Sequence, residues 1–388
     1  MKGSYYDKFV SESIDTIKNK ISQRTFENTV DNCCYTDLSL SRKRLGFVLQ
    51  NNVEEMDKNL ANFDNKWQPS NGKKYWFTNY EDLLRQLRTL IWEKDIKTYY
   101  IDNQNSYLWT EIGLLSFLKK EKTKESVDFS NIQFFEANKI FSDSGSFLIF
   151  GNQNTINKLN NNAINVFVAG IEQVMKNTDD IELYLKISKD RYKEKNDKLY
   201  PIIYTPSSKN NNILFILDNM RSNVMNFIPQ RSALACLHCG LCSDVCPVFC
   251  NAGDKAYDNI FSGPIASVLL PHLENIADYT FVSYACTLCG NCEKVCPISL
   301  PLRDMITENR HYIMEKGLLP FSEKNKNRKM RKVLLSRKKL NKISFFKRIK
   351  FKRLLSKSLR KNRKIPKMEK YSFNQQYIKN LKEKFNQI

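Results

Sequence analysis

Cys236-Leu237-His238-Cys239-Gly240-Leu241-Cys242-Ser243-Asp244-Val245-Cys246-Pro247 and Cys286-Thr287-Leu288-Cys289-Gly290-Asn291-Cys292-Glu293-Lys294-Val295-Cys296-Pro297 repeat one spacing, Cys-x2-Cys-x2-Cys-x3-Cys-Pro. Together they use eight of the eleven cysteines in the chain. Three thiolates two residues apart can wrap a tight loop around one face of a cubane cluster, while the fourth points away. In two-cluster ferredoxins that fourth cysteine ligates the other cluster. We therefore expect Cys236, Cys239, Cys242 and Cys296 to hold one [4Fe-4S] centre and Cys286, Cys289, Cys292 and Cys246 to hold a second, with electron transfer as the chemistry. The proline after each fourth cysteine fits a turn.

Two other readings of the same residues fare worse. Structural zinc favours two closely spaced Cys pairs separated by a longer spacer, not four thiols within eleven residues followed by Pro, twice over. A disulfide framework belongs to an exported chain. The polar start Met1-Lys2-Gly3-Ser4-Tyr5-Tyr6 leads into no apolar signal segment, so a cytoplasmic, reducing location is expected. Cys33, Cys34 and Cys250 lie outside the runs and read as ordinary thiols. Of the histidines His238, His272 and His311, only His238 lies in a cysteine loop, where it could tune a cluster through a hydrogen bond to sulfur.

Upstream of the cysteines the hydrophobic pattern changes period. Tyr80 to Trp92 carries apolar residues at three- and four-residue steps, as an amphipathic helix does. Short β-rich runs then follow at Thr98 to Ile101, Ile132 to Phe135, Phe147 to Phe150, Asn165 to Val168 and Ile213 to Leu217. Helical stretches such as Glu111 to Lys120 lie between them. Strand and helix in alternation predict an α/β domain with a largely parallel sheet. Neither G-x-G-x-x-G nor G-x-x-x-x-G-K-[ST] occurs, so no dinucleotide or P-loop fingerprint is present.

Thirty-nine residues, Pro247 to Ala285, separate the two runs. Within them Ile265 to Leu270, after Gly263-Pro264, predicts a short helix stopped by Pro271. Leu302, Met305 and Ile306 begin another, with Pro301 at its start and Gly317 as its C-cap. An α-helical two-cluster ferredoxin is expected rather than the small β-rich type. The boundaries that follow are 1–228 for an N-terminal helical region and α/β domain, 229–318 for the two-cluster domain and 319–388 for a basic helical C-terminal region.

The chain carries a net charge of +21. From Phe321 to Ile388 there are 25 Lys and Arg against 3 Asp and Glu, so the tail holds the whole excess and the body is close to neutral. A neutral body and a tail without aromatic stacking patterns argue against nucleic-acid recognition. An acidic protein or an anionic membrane surface is the expected partner of the tail. Its apolar residues do not gather on one helical face, and no apolar run reaches the 18 or so residues of a spanning helix.

The residues around the cysteines resemble a known family. Cys236 to Cys242, Ser262-Gly263-Pro264-Ile265, Tyr284 to Gly290 and Cys296-Pro297-Ile298-Ser299-Leu300-Pro301-Leu302 are similar to the iron-sulfur subunit of bacterial lactate utilization systems, the lactate utilization protein B family. Thr110-Glu111-Ile112-Gly113-Leu114 and Val168-Ala169-Gly170-Ile171-Glu172-Gln173-Val174 look like signature segments of its N-terminal LUD domain. The resemblance implies an α/β LUD-like domain (CoA-transferase/sugar-phosphate-isomerase-like), two [4Fe-4S] clusters and partner subunits that together oxidise L-lactate to pyruvate. Where the family carries Glu-Thr-Gly this chain has Asp143-Ser144-Gly145, and where the family has a His it has Asn165. These departures put ligand binding by the α/β domain in question and leave open a ferredoxin-like subunit of another respiratory or heterodisulfide-reductase-like complex. Its electrons would then pass to a quinone or thiol partner.

Overall fold

The computed structural model describes residues 37–319 apart from 68–71, 103–105, 127–129, 160–161, 189–199, 207–210, 258 and 260. Beyond 319 it describes only isolated positions, so the basic C-terminal region lies outside the described residues, as do Cys33 and Cys34. The chain divides into two compact units, Met1–Lys316 and Gly317–Ile388. The first takes in both the α/β body and the cysteine-bearing helices.

The body is built on ten strands, β1 (Lys73–Phe77), β2 (Thr98–Ile101), β3 (Lys124–Glu125), β4 (Ile132–Glu136), β5 (Lys139–Phe141), β6 (Phe147–Gly151), β7 (Ile164–Gly170), β8 (Val174–Met175), β9 (Tyr200–Tyr204) and β10 (Asn211–Leu217). Six of them form a sheet in the order β1-β10-β7-β4-β2-β3, with every neighbour parallel. The expected parallel sheet is present. Phe147 to Phe150, however, belongs to a second sheet, β8-β5-β6-β9, where β6 runs antiparallel to β5 and β9. A short apolar run carries no record of which sheet it joins.

Packed on these sheets are α1 (Leu38–Glu54), α2 (Met56–Lys66), α3 (Tyr80–Glu93), α4 (Tyr107–Ile112), α5 (Leu114–Lys120), α6 (Gln153–Leu159) and α7 (Ile181–Ser188). The helix expected over Glu111 to Lys120 is two, because Gly113 turns left-handed at φ 65° and closes α4. In α3 the side chain of Asn79 caps Asp82 N at 2.9 Å, and Leu83, Leu87 and Ile91, each a turn apart, are buried.

The central strands are buried on both faces, and their two-residue period divides them between two cores. Phe134, Val166, Val168, Phe215 and Leu217 face α3, α4 and α5. Phe135, Phe167, Ala169, Leu214 and Ile216 face the other way, into a core shared with α1, α2, the second sheet and the cysteine region. That shared core includes Cys292, Ile298, Leu300 and Ile306, so the cysteine segment packs directly on the α/β body.

After β10 come α8 (Arg221–Met225), α9 (Ile228–Arg231), α10 (Leu241–Asp244), α11 (Pro247–Ala252), α12 (Gly263–Leu273), α13 (Thr280–Ala285), α14 (Asn291–Val295) and α15 (Leu302–Glu315). Among the described residues its regular elements are all helices. Contrary to expectation, Pro271 does not stop its helix, since α12 continues to Leu273. Proline removes one N–H and frees the carbonyl four residues earlier. Here that carbonyl, Ser267 O, accepts instead from Ser283 Oγ at 3.0 Å and Asn309 Nδ2 at 3.1 Å. At the end of α15, Gly317 turns left-handed at φ 64°.

Candidate iron-sulfur site

Both cysteine runs fold into the same local shape. In each, the residue two after the first cysteine is left-handed, His238 at φ 52° and Leu288 at φ 56°, followed by a left-handed glycine, Gly240 at 77° and Gly290 at 74°. A non-glycine residue there is uncommon and is held at a cost of about 1–3 kcal/mol. The turn aims a backbone N–H at sulfur: His238 N donates to Cys236 Sγ at 3.3 Å and Leu288 N to Cys286 Sγ at 3.4 Å. The short helices α10 and α14 follow. The fourth cysteines, Cys246 and Cys296, then return to extended backbone at ψ 117° and 120°.

The thiols fall into two sets with exchanged members. Cys236 feels the charges of Cys242, Cys239 and Cys296, whereas Cys246 feels those of Cys286 and Cys289. Cys292 in turn feels Cys286 and Cys246. Cys296 is thus grouped with Cys236 and Cys242 of the other run, and Cys246 with Cys286, Cys289 and Cys292. Burial, then Cys246, raises the pKa of Tyr257, and Cys286 and Cys242 add to it, so this buried ring is affected by members of both sets. Cys289 is the exposed member and Cys292 the buried one. Cys250 lies apart, its Sγ directed to Asp244 O at 3.5 Å.

The donors suit an iron-sulfur cluster. Burial first, then the neighbouring thiolates Cys242 and Cys239, pushes the Cys236 thiol well above its ordinary range; burial and Cys239 push Cys242 up to about 12, and burial and Cys286 push Cys292 up to about 11. Four thiolates this close and this dry need a large positive charge among them, which iron supplies. Among the described residues no three His, Cys, Asp or Glu converge on a point for a single ion. A cubane, unlike zinc, spreads its four ligands around a larger body.

The surrounding helices hold the loops in place. Gly263, at φ 73°, lets α12 approach α10 so closely that a Cβ would lie 2.1 Å from Ser243 Oγ. Arg310 on α15 donates to Ser283 O at 2.9 Å and to Cys286 O, fixing the entry to the second run. Asn309, fully buried, ties three helices together: its Nδ2 donates to Ser267 O and Val268 O at 3.1 Å each, and its Oδ1 accepts from Gln230 Nε2 at 2.9 Å. That leaves His272 Nε2, 2.7 Å from the same Oδ1, as a donor, and its buried Nδ1 has no partner.

A buried polar cluster links the first loop to the carboxyl ends of the parallel strands. Arg221 donates from Nη1 and Nη2 to the two oxygens of Glu111 at 2.9 and 2.8 Å. Its Nε lies 2.6 Å from Glu172 Oε2, a charge contact whose N–H is not aimed at the oxygen. Burial works against the Arg221 charge, and Glu172 and Glu111 more than offset it, so its pKa rises. Tyr107 donates its hydroxyl to Glu172 at 3.2 Å and stacks its ring on His238, with centroids 4.4 Å apart. The His238 ring thus packs face to face on Tyr107, while its backbone N–H serves the sulfur. The two segments expected as LUD signatures supply Glu111 and Glu172, but nothing in the sequence pattern singled out Arg221 or Tyr107.

The departures lie elsewhere. Asp143 and Ser144 occupy the turn between β5 and β6, where Asp143 accepts from Thr178 N and Oγ1 at 2.8 Å each. Asn165 is buried near the start of β7, in register with Asn212 and Gln133, at the opposite end of that strand from Glu172. The structure does not bring them together with the cysteines.

Residues 232–300 match the family described as 4Fe-4S dicluster domain. That is the segment holding both thiol sets. Lactate utilization protein B of Bacillus subtilis (strain 168) is 38% identical over 112 residues, covering 29% of this chain and 23% of that protein. The protein of the same name from Exiguobacterium sp. (strain ATCC BAA-1283 / AT1b) is 36% identical over 112 residues, 29% of this chain and 24% of its own. The matched stretch thus spans about a quarter of these relatives. Among solved structures, a DUF162 family protein from Deinococcus radiodurans aligns with 42% of this chain and 98% of its own, at 9% identity and a TM-score of 0.30. No helix among the described residues is long and apolar enough to cross a membrane.

Proposed function

We propose that the chain is the iron-sulfur electron-transfer subunit of a multi-protein oxidoreductase that oxidises L-lactate to pyruvate, with Cys236, Cys239, Cys242 and Cys296 holding one [4Fe-4S] cluster and Cys286, Cys289, Cys292 and Cys246 the other. The exchanged membership of the two thiol sets carries this reading, since it is the ligation that a two-cluster ferredoxin uses. When bound, the clusters supply one-electron transfer. The residues' part is to exclude water, to direct backbone N–H groups at Sγ and to hold the two loops at fixed separation. On this reading 1–228 is a LUD-like body, 229–318 the cluster-bearing segment and 319–388 a basic arm for an acidic partner subunit or an anionic membrane surface.

The lactate assignment rests on the named relatives. A ferredoxin-like role in another respiratory or heterodisulfide-reductase-like complex is favoured only by Asp143, Ser144 and Asn165, where the body departs from the family pattern. Anaerobic purification with co-isolating proteins separates the two: L-lactate should bleach the visible absorbance of the assembled complex. Iron and acid-labile sulfide should each reach about eight per chain. Half those values, or stoichiometric zinc, would remove the two-cluster assignment.

A further inference from the structure

The two cysteine runs are offset by fifty residues, so their surroundings can be compared position by position. Around the second run Phe281, Ala285, Thr287, Cys289, Asn291 and Lys294 are all exposed. Their counterparts in the first, Arg231, Ala235, Leu237, Cys239, Leu241 and Asp244, are all buried or half-buried. The first run owes its cover to the rest of the chain. Tyr107 of the α/β body stacks on His238, Phe261 stands 5.5 Å from the same ring, and Leu237 enters the core shared with α1. Electron transfer between proteins falls steeply with the distance between redox groups, so the set that contains Cys289 is the one an outside carrier can approach.

The open side has the make-up of a docking surface. Phe281 and Ala285, one turn apart, share a side of α13, the helix that leads into Cys286. Phe281 is 48% exposed. Aromatic residues and arginine are enriched in protein interfaces, and Arg303 and Arg310, two turns apart on one side of α15, border the same segment. Their charges are not cancelled. Arg303 lies 3.8 Å from Glu293 and 3.4 Å from Asp304, whereas Arg310 donates to the carbonyls of Ser283 and Cys286. Lys294 is exposed and, among the described residues, has no carboxylate within ion-pair distance. Three cations therefore stand with two carboxylates around the exposed thiol.

We propose that the face around Cys289, with Phe281 as its apolar anchor and Lys294, Arg303 and Arg310 as its charged rim, docks the external electron carrier, a one-electron redox protein whose own contact surface is acidic. This inference rests on the two-cluster reading above and adds to it the port and the kind of partner that uses it.

The test is stopped-flow reduction of the full-length, anaerobically reconstituted chain by flavodoxin hydroquinone, an acidic one-electron donor, with methyl viologen radical as a small reductant that needs no docking. In each flavodoxin step one electron leaves the anionic hydroquinone, giving the neutral semiquinone, and enters a cluster with no proton moved. Lys294→Glu should slow the second-order flavodoxin rate about fivefold and Phe281→Ser about threefold, since changes at an interface alter encounter and docking. Lys120→Glu, an equal charge reversal on α5 of the body, should stay within about twofold, as should the viologen rate in every variant. The basic tail is present throughout, so its attraction cancels in these ratios. Lys294→Glu and Phe281→Ser proteins that are cluster-replete and as fast as the unsubstituted chain, or Lys120→Glu slowed as much as Lys294→Glu, would overturn the proposal. Carbodiimide cross-linking of the unsubstituted chain to flavodoxin needs no variant to assemble: Lys294 should appear in the linked peptides, and its absence overturns the proposal too. So does a stable dimer of the chain that Phe281→Ser dissociates, which would give the face to a second copy. An unsubstituted chain that takes up no clusters sinks the parent reading instead, so the two failures are distinct.

Discussion

Replacing Arg221 by Met should be among the most damaging single changes outside the cysteines. The guanidinium is 3% exposed and its two partners are nearly as dry, Glu111 at 7% and Glu172 at 6%. Met has similar bulk but no charge, so both carboxylates would stay buried without their cation. Removing one partner of a buried pair costs about 3–5 kcal/mol, a large share of the ~5–15 kcal/mol that holds a typical domain. With a urea slope of ~2–3 kcal/mol/M, the unfolding midpoint should fall by ~1–2.5 M. The measurement is anaerobic urea unfolding followed by circular dichroism and cluster absorbance. Neutralising the acids as well, in Arg221→Met/Glu111→Gln/Glu172→Gln, should recover most of the loss. A midpoint shift below ~0.3 M, or a triple variant as weak as the single one, would refute the view that charge rather than packing is at stake.

Crossed ligation predicts that Cys296→Ala harms the centre held by Cys236, Cys239 and Cys242, while Cys246→Ala harms the one held by Cys286, Cys289 and Cys292; EPR of the two variants should lose different signals. Burial lowers the pKa of His272 from its ordinary 6.5, against the opposing hydrogen bond to Asn309. Its contribution to stability is therefore full above about 6.5, where both folded and unfolded forms are neutral, and is lost as pH falls through the lower folded value. His272→Gln should flatten that acid-side slope in unfolding experiments, and an unchanged slope would count against it. For the basic arm, deleting Lys324 to Lys370 should weaken partner or vesicle binding at low salt and leave cluster absorbance intact. Added salt should weaken the intact chain in the same way, since the Debye length is only ~8 Å at physiological ionic strength. Salt-independent binding would leave the arm without a charge-based role.

The cysteine loops were legible because their chemistry is local: spacing alone fixes which thiols can share a turn, and the glycines at 240 and 290 mark where the backbone must go left-handed. The strands at Thr98, Ile132 and Ile213 were legible for the same reason, each being a short run with its own period. Less could be read wherever distant segments decide the outcome. Pro271 reads as a stop because the sequence does not reveal that Ser283 and Asn309 will take up the carbonyl it releases. The second sheet and the pairing of Arg221 with Glu111 and Glu172 both depend on packing between segments far apart in the chain.

The core that joins Phe147 and Phe167 to Ile298, Leu300 and Ile306 bears on protein engineering. Small ferredoxins are often treated as cassettes to be cut out and spliced between enzymes. Here the cut at residue 229 would strip the cover from α12 and α15, baring Ile265, Leu269, Met305 and Ile306 to water. A stand-alone wire made from residues 229–318 should aggregate unless that greasy face is redesigned. A shorter reporter of the redox centre has to begin at α1 and keep the whole body with it.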